Sequence, residues 1–122
     1  MRTDILGVGF DPITLPQAVS AGVALARDAE FHYVVTPNPE FVQLAADDDE
    51  FRSILYHADL VLADGIGIIH AAKILGTPLP GRVTGIDFAA GLMQEMARST
   101  DLKLFLLGAK PGVAEKAAAR LM

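Results

Sequence analysis

The chain alternates short runs of apolar and β-branched residues with longer segments in which apolar residues recur at helical spacing. The short runs predict strands, and they lie at residues 3–8, 31–35, 60–63 and 103–107. Strands separated by helices indicate βαβ units. We therefore predict an α/β, Rossmann-like fold with a mostly parallel sheet covered by helices. At this length, residues 1–122 are expected to form a single domain.

Capping signals mark where helices begin. Thr14 and Gln17 match a capping box, and Asn38 followed by Pro39 is typical of an N-cap and a first helical residue. Further helices are predicted around residues 51–58, from 66 to about 75, and over 88–96. The last helical pattern, residues 113–122, has no terminating Gly, Pro or polar cap. We therefore expect an N-terminal part of a longer protein, with the C-terminal part of the domain missing.

Polar and glycine residues follow three of the predicted strands. Ligands of parallel α/β sheets bind beyond the carboxyl ends of the strands, and this rule singles out Thr36-Pro37-Asn38, Asp64-Gly65 and Gly108-Ala109-Lys110. Asp64 ends an apolar strand and precedes a glycine, so its carboxylate can take a proton from an attacking hydroxyl. An N-cap for the next helix is an equally supported role for Asp64.

Two prolines flank Asn38 and stiffen the backbone that carries Asn38 and Thr36. A hydroxyl and an amide held in this way suit the recognition of sugar hydroxyl and acetamido groups. The alternative is a plain turn from strand to helix in which Asn38 acts as the cap.

Arg82 follows a loop rich in proline and glycine, where its planar guanidinium can bind a phosphate. A simple surface arginine is the more common case. Backbone N–H groups of the loop Gly108-Ala109-Lys110 can hold a diphosphate at the start of the following helix, although such loops are more often ordinary connections. Asp87 is predicted to cap the helix that follows it.

Composition excludes several classes of protein. The net charge is −5 and there is no cysteine, so disulfide scaffolds, thiolate zinc sites and cysteine nucleophiles are ruled out. Nucleic acid is not expected as a partner at a pI of 5.0. No metal site is predicted, because the histidines are scattered and residues 47–49 fit a solvated helix start. The longest clean apolar run, residues 104–107, is far shorter than a spanning helix of roughly 20 residues, which makes a cytoplasmic protein the default expectation.

Four blocks in this order and spacing resemble the WecG/TagA/CpsF glycosyltransferases. They are TPNPE from Thr36, ADLVLADGIG from Ala58, RVTGID from Arg82 and FLLG from Phe105. The second and third blocks together are specific, and the likeness covers nearly the whole chain. It is nearest to the TagA-like branch, which makes the linkage unit of wall teichoic acid.

The resemblance implies an inverting transfer of N-acetylmannosamine from its UDP donor. The implied acceptor is the 4-hydroxyl of undecaprenyl-diphosphate-linked N-acetylglucosamine. Asp64 would then be the catalytic base, and Arg82 would stabilise the diphosphate leaving group. Thr36 and Asn38 would contact substrate, while the nucleotide would lie beside Gly65 and the loop formed by Gly108, Ala109 and Lys110. No cofactor or metal is implied.

Members of this family carry further strands and a basic, amphipathic C-terminal appendage that docks on the membrane. The resemblance therefore implies peripheral contact with the inner face of the cell membrane through a segment absent from this sequence. Two alternatives stay open: a relative that uses another UDP-hexose in exopolysaccharide or common-antigen synthesis, and a non-catalytic nucleotide-binding module. A homo-oligomer is also expected if an apolar patch is exposed.

Overall fold

Within residues 1–99 and 101–121, which a computed structural model of the protein describes, four short strands and six helices follow one another along the chain. They are β1 (Thr3–Ile5), β2 (Val8–Phe10), α1 (Leu15–Arg27), β3 (Val34–Val35), α2 (Pro39–Asp47), α3 (Asp49–Tyr56), β4 (Leu60–Val61), α4 (Ile66–Ile74), α5 (Gly85–Met96) and α6 (Val113–Leu121). The fold is mixed α/β, as the sequence predicts. No helix among these is long and apolar enough to cross a membrane.

The N-terminal run is a hairpin, so the prediction of one strand over residues 3–8 was wrong. β1 pairs antiparallel with β2, and Ile5 lies opposite Val8. The two residues between the strands, Leu6 and Gly7, have φ angles of 51° and 96°. A two-residue turn with both φ angles positive matches the twist of paired strands and reverses the chain tightly. Apolar residues on either side of this turn make the hairpin look like one continuous strand in the sequence.

The parallel pairing is confined to β3 and β4, in register Val34 with Leu60 and Val35 with Val61. Backbone hydrogen bonds extend this pairing beyond the strands, since Leu62 N–H donates to Val35 O (2.9 Å) and Asp64 N–H to Pro37 O (3.2 Å). The described strands thus form one antiparallel and one parallel pair. This corrects the prediction of a mostly parallel sheet.

Packed apolar residues cover both faces of the parallel pair, because successive residues of an extended segment point to opposite sides. Leu60 and Leu62 belong to a buried cluster with residues of α1 and α5, including Ala18 and Phe88. Val61 and Ala63 belong to a second cluster with the hairpin, α2, α3 and α4. The end of the extended segment, at Asp64, is therefore held between two packed layers.

Asp11 ties the hairpin to β4. Its Oδ2 accepts the Val61 N–H (2.7 Å), its own N–H donates to Val61 O (2.9 Å), and its Oδ1 accepts from the Arg2 guanidinium (3.2 Å). Arg2 also donates to the carbonyl oxygens of Tyr56 (2.8 Å) and Ala58 (2.5 Å). These contacts fix β4 and the residues just before it, three positions ahead of Asp64.

The fourth predicted strand, over residues 103–107, was wrong. The backbone there is not a strand, and Phe105 and Leu107 are 84% and 92% exposed. An apolar run supplies strand propensity, but a strand also needs a partner for its N–H and C=O groups. None of the described strands pairs with this run. α6 begins at Val113 as predicted, and Met122, the last residue of that predicted helix, lies outside the described residues.

Candidate functional site

The carboxyl ends of the two parallel segments meet where the sequence places its polar residues. The bond from Asp64 N–H to Pro37 O joins the Asp64-Gly65 turn to the turn between Thr36 and Asn38. A Cβ built on Gly65 would lie 3.5 Å from Pro39 Cδ and 3.9 Å from Asn38 Cβ. Glycine at this position, with φ of 113°, permits both the turn and the close approach.

The Asp64 carboxylate is half-buried and holds one protein hydrogen bond. Its Oδ2 accepts the Gly85 N–H at 3.3 Å, and within the described residues its Oδ1 has no hydrogen-bond partner. The N-cap of α4 is Gly65, which makes no side-chain cap bond. Asp64 therefore does not cap α4.

Asn38 and Thr36 present polar groups on the other side of this junction. Asn38 Oδ1 accepts the Phe41 N–H (3.1 Å) and so caps α2, which confirms the alternative that the sequence left open. Its Nδ2 donates to no described residue, so capping leaves an amide donor free. Thr36 Oγ1 lies 3.2 Å from the position that a Cβ on Gly85 would occupy. The hydroxyl of Thr36 and the carboxylate of Asp64 thus both lie close to Gly85.

The segment that leads into α5 runs alongside Asp64. Val83 N–H donates to Ala63 O at 2.8 Å, which fixes the segment one residue before Asp64. Thr84 caps α5, since its hydroxyl accepts the Asp87 N–H at 3.1 Å. The prediction that Asp87 is the cap was wrong, because a capping residue must precede the first helical residue and Asp87 already lies in the first turn.

Arg82 and the loop before α6 make no hydrogen bond to Thr36, Asn38 or Asp64 among the described residues, although Arg82 directly precedes Val83, whose N–H bonds to Ala63 O. The Arg82 side chain is exposed and makes no ion pair with a described residue. Gly108, Ala109 and Lys110 are also exposed, with positive φ at Gly108 and Ala109. No hydrogen bond between described residues joins this loop to Thr36, Asn38 or Asp64. The structure therefore brings together Thr36, Asn38, Asp64 and Gly65, but not the loop.

Gly85 belongs to this junction in the structure, but the sequence pattern indicates no role for it. The Gly85 N–H donates a hydrogen bond to Asp64. Thr36 packs so close to the Gly85 backbone that a Cβ at position 85 would lie 3.2 Å from the Thr36 hydroxyl oxygen. The available signal was the place of Gly85 directly after a threonine N-cap, since the N–H groups of a first helical turn lack partners within the helix.

A separate charged cluster lies at the amino end of β3. His32 Nε2 contacts Asp28 Oδ2 at 2.5 Å and His32 Nδ1 contacts Asp59 Oδ1 at 2.9 Å. The hydrogen bond to Asp28, followed by the one to Asp59, raises the pKa of His32. The bond from His32 lowers the pKa of Asp28, and the Tyr33 N–H followed by His32 lowers the pKa of Asp59. This cluster is at the opposite end of β3 from Thr36.

Comparison with known proteins gives a consistent set of matches. The model of the glycosyl transferase WecG/TagA/CpsF family matches residues 3–122. Proteins of Staphylococcus aureus strains NCTC 8325 / PS 47, COL and MSSA476 are each 33% identical to the chain over 118 residues. Each is named N-acetylglucosaminyldiphosphoundecaprenol N-acetyl-beta-D-mannosaminyltransferase. The match covers 95% of this chain and 46% of each relative, so the chain spans a little less than half of their length.

Proposed function

Because the chain belongs to the glycosyl transferase WecG/TagA/CpsF family, we propose that Asp64 is the base of a hexosyl-transfer site. The proposed donor is UDP-N-acetylmannosamine, and the proposed acceptor is the 4-hydroxyl of undecaprenyl-diphosphate-linked N-acetylglucosamine. The name of the Staphylococcus aureus relatives supports this choice of substrates. The observation that carries the proposal is the meeting of Thr36, Asn38 and Asp64 at the carboxyl ends of the parallel segments.

The proposed reaction is a single displacement with inversion. The acceptor hydroxyl gives its proton to the free oxygen of Asp64 while its own oxygen bonds to the anomeric carbon of the donor sugar. The bond from that carbon to the phosphate oxygen breaks, and UDP leaves. Thr36 and Asn38 orient the sugars through their hydroxyl and amide groups. Arg82 stabilises the charge that develops on the departing diphosphate.

We propose that the nucleotide binds at Gly65 and at Gly108, Ala109 and Lys110, two segments that no hydrogen bond between described residues joins. Gly65 lies at the N-terminus of α4, where unpaired N–H groups favour an anion. The loop before α6 offers exposed backbone and the Lys110 ammonium for the same purpose. We place the reaction in the cytoplasm at the inner face of the cell membrane, because the acceptor is lipid-linked, and we treat residues 1–122 as the N-terminal part of one transferase domain.

The test is Asp64→Asn in the intact protein, assayed by sugar transfer to a soluble acceptor analogue. The substitution keeps the shape of the side chain but removes its capacity to take a proton. We expect the transfer rate to fall by about 10²–10⁴-fold, the usual contribution of a positioned base. The matched control is Asp87→Asn, which neutralises an exposed carboxylate in the first turn of α5 and should leave the rate unchanged.

An unchanged rate for Asp64→Asn would remove this residue from the base role. Calorimetric titration of the wild-type protein with UDP separates the remaining possibility. Binding of UDP without any transfer would favour a non-catalytic nucleotide-binding module over a transferase.

A further inference from the structure

Gly85 connects two residues of the candidate site through its backbone. Its N–H donates to Asp64 Oδ2 at 3.3 Å, while a Cβ built on its Cα would lie 3.2 Å from Thr36 Oγ1 and 3.6 Å from Thr36 Cγ2. Gly85 does not have a positive φ. Glycine is therefore favoured at position 85 because a side chain there would crowd Thr36, and not because the backbone is left-handed. The N–H matters separately, because it bonds to Asp64.

The Gly85 N–H is available to Asp64 because of where α5 begins. Gly85 is the first residue of the helix, and the N–H groups of a first turn have no partner within the helix. The Thr84 hydroxyl accepts the Asp87 N–H and not the Gly85 N–H. The bonds from Val83 N–H to Ala63 O (2.8 Å) and from Phe88 N–H to Thr84 O (3.0 Å) hold the backbone on either side.

We infer that Gly85 is a positioning residue that holds the Asp64 carboxylate for the proton transfer, an inference that rests on the proposed function for its effect on the rate. Holding Oδ2 restricts rotation of the carboxylate and leaves Oδ1 to receive the proton. The missing side chain lets Thr36 approach the start of α5, so the Thr36 hydroxyl and the Asp64 carboxylate keep a fixed separation.

Two substitutions at position 85 separate the N–H from the missing side chain. Gly85→Ala keeps the N–H and adds a Cβ near Thr36. Gly85→Pro adds a Cβ and also removes the N–H. Proline is well tolerated as the first helical residue, and Thr84, with φ of −75° and ψ of 151°, already has the conformation favoured before proline. The proline ring also places its Cδ where the N–H points at Asp64 Oδ2. Gly85→Pro therefore removes the hydrogen bond and displaces the carboxylate that accepted it, whereas Gly85→Ala does neither.

In the intact protein we expect kcat for sugar transfer to be lower in Gly85→Pro than in Gly85→Ala by about tenfold or more, since small misplacements of a reacting group are costly. The KM for the UDP-sugar should change much less than kcat. The matched control is Gly91→Ala on the same helix, whose Cβ would lie 2.6 Å from Val19 Cγ2. It should lower the Tm but leave kcat unchanged at temperatures where the protein is folded.

Equal kcat values for folded Gly85→Pro and Gly85→Ala would overturn the inference. A second measurement requires neither enzymatic activity nor a folded Gly85→Pro variant. It compares hydrogen exchange of the Gly85 amide between the wild type and Asp64→Ala. Loss of the acceptor should speed exchange at Gly85 by about twofold to tenfold and leave the Val83 amide unchanged. Unaltered exchange at Gly85 would also overturn the inference. Absence of transfer in the wild type with faster exchange at Gly85 would instead refute only the proposed function.

Discussion

At the scale of single residues, the cluster of His32, Asp28 and Asp59 at the amino end of β3 makes the stability of the fold depend on pH. Protonated His32 lies between the carboxylates of Asp28 and Asp59. Its pKa is raised above the ordinary 6.5, so its stabilisation is complete below that value and is lost as the pH rises through the raised pKa of the folded state. The pKa values of Asp28 and Asp59 lie below the ordinary 3.8, so their stabilisation is lost as the pH falls through those lowered values.

We expect the urea midpoint of the wild-type protein to be higher at about pH 5.5 than at about pH 8.5, because His32 loses its charge as the pH rises through its raised pKa. His32→Gln should remove most of this difference. The control is His70→Gln, which changes an exposed histidine of α4 and should keep the wild-type pH dependence. The same pH dependence in the wild type and in His32→Gln would show that the cluster does not control stability.

Helix packing, at the scale of elements, is set by small residues. α1 and α5 approach so closely that a Cβ on Gly22 would lie 2.9 Å from both Leu92 Cδ2 and Phe88 Cζ. Gly22 and Ala18 are the buried residues of α1. The apolar stripe predicted for this helix does not include Gly22 or Ala18. It consists of Leu15, Val19, Val23 and Ala26. The close contact between the two helices is made by small residues, which a pattern of large apolar side chains does not reveal.

Gly22→Val should therefore lower the free energy of unfolding by about 1–3 kcal/mol, the usual cost of overpacking a core. The matched control is Ala24→Val, which introduces the same side chain at an exposed position of α1. It should cost about 0.5 kcal/mol, since only helix propensity changes. Urea denaturation measures both values, and equal losses for the two variants would show that α1 and α5 do not pack this closely.

At the scale of the whole molecule, an apolar strip at residues 104–107 is largely exposed among the described residues. Leu104, Phe105 and Leu107 are 49%, 84% and 92% exposed. Contiguous apolar surface of this kind promotes association. We expect the 122-residue chain by itself to form oligomers as its concentration rises, measured by sedimentation velocity.

Replacing Phe105 and Leu107 together by serine should return the chain to a monomer. Ile74→Ser is the control, because Ile74 is 84% exposed on α4, away from this strip in the sequence. It should leave the association unchanged. A wild-type chain that stays monomeric at every concentration tested would contradict the expectation.

Two helix starts were determined by the sequence itself, because their capping hydrogen bonds join residues three positions apart. The capping box of Thr14 with Gln17 is confirmed, and so is the Asn38 cap of α2. The meeting of Asp64 with the Thr36–Asn38 turn also followed from the sequence, because Thr36 and Asp64 each come directly after a predicted strand and those two strands are parallel neighbours.

Tertiary structure decided which groups act as partners across the fold. The strand partners, the reversal of the chain at Leu6 and Gly7, and the exposure of residues 104–107 depend on pairings that propensity does not encode. The same holds for the Gly85 N–H on Asp64, which links residues 21 positions apart. Local capping needs only neighbouring residues, whereas these contacts form only after packing has brought distant segments together.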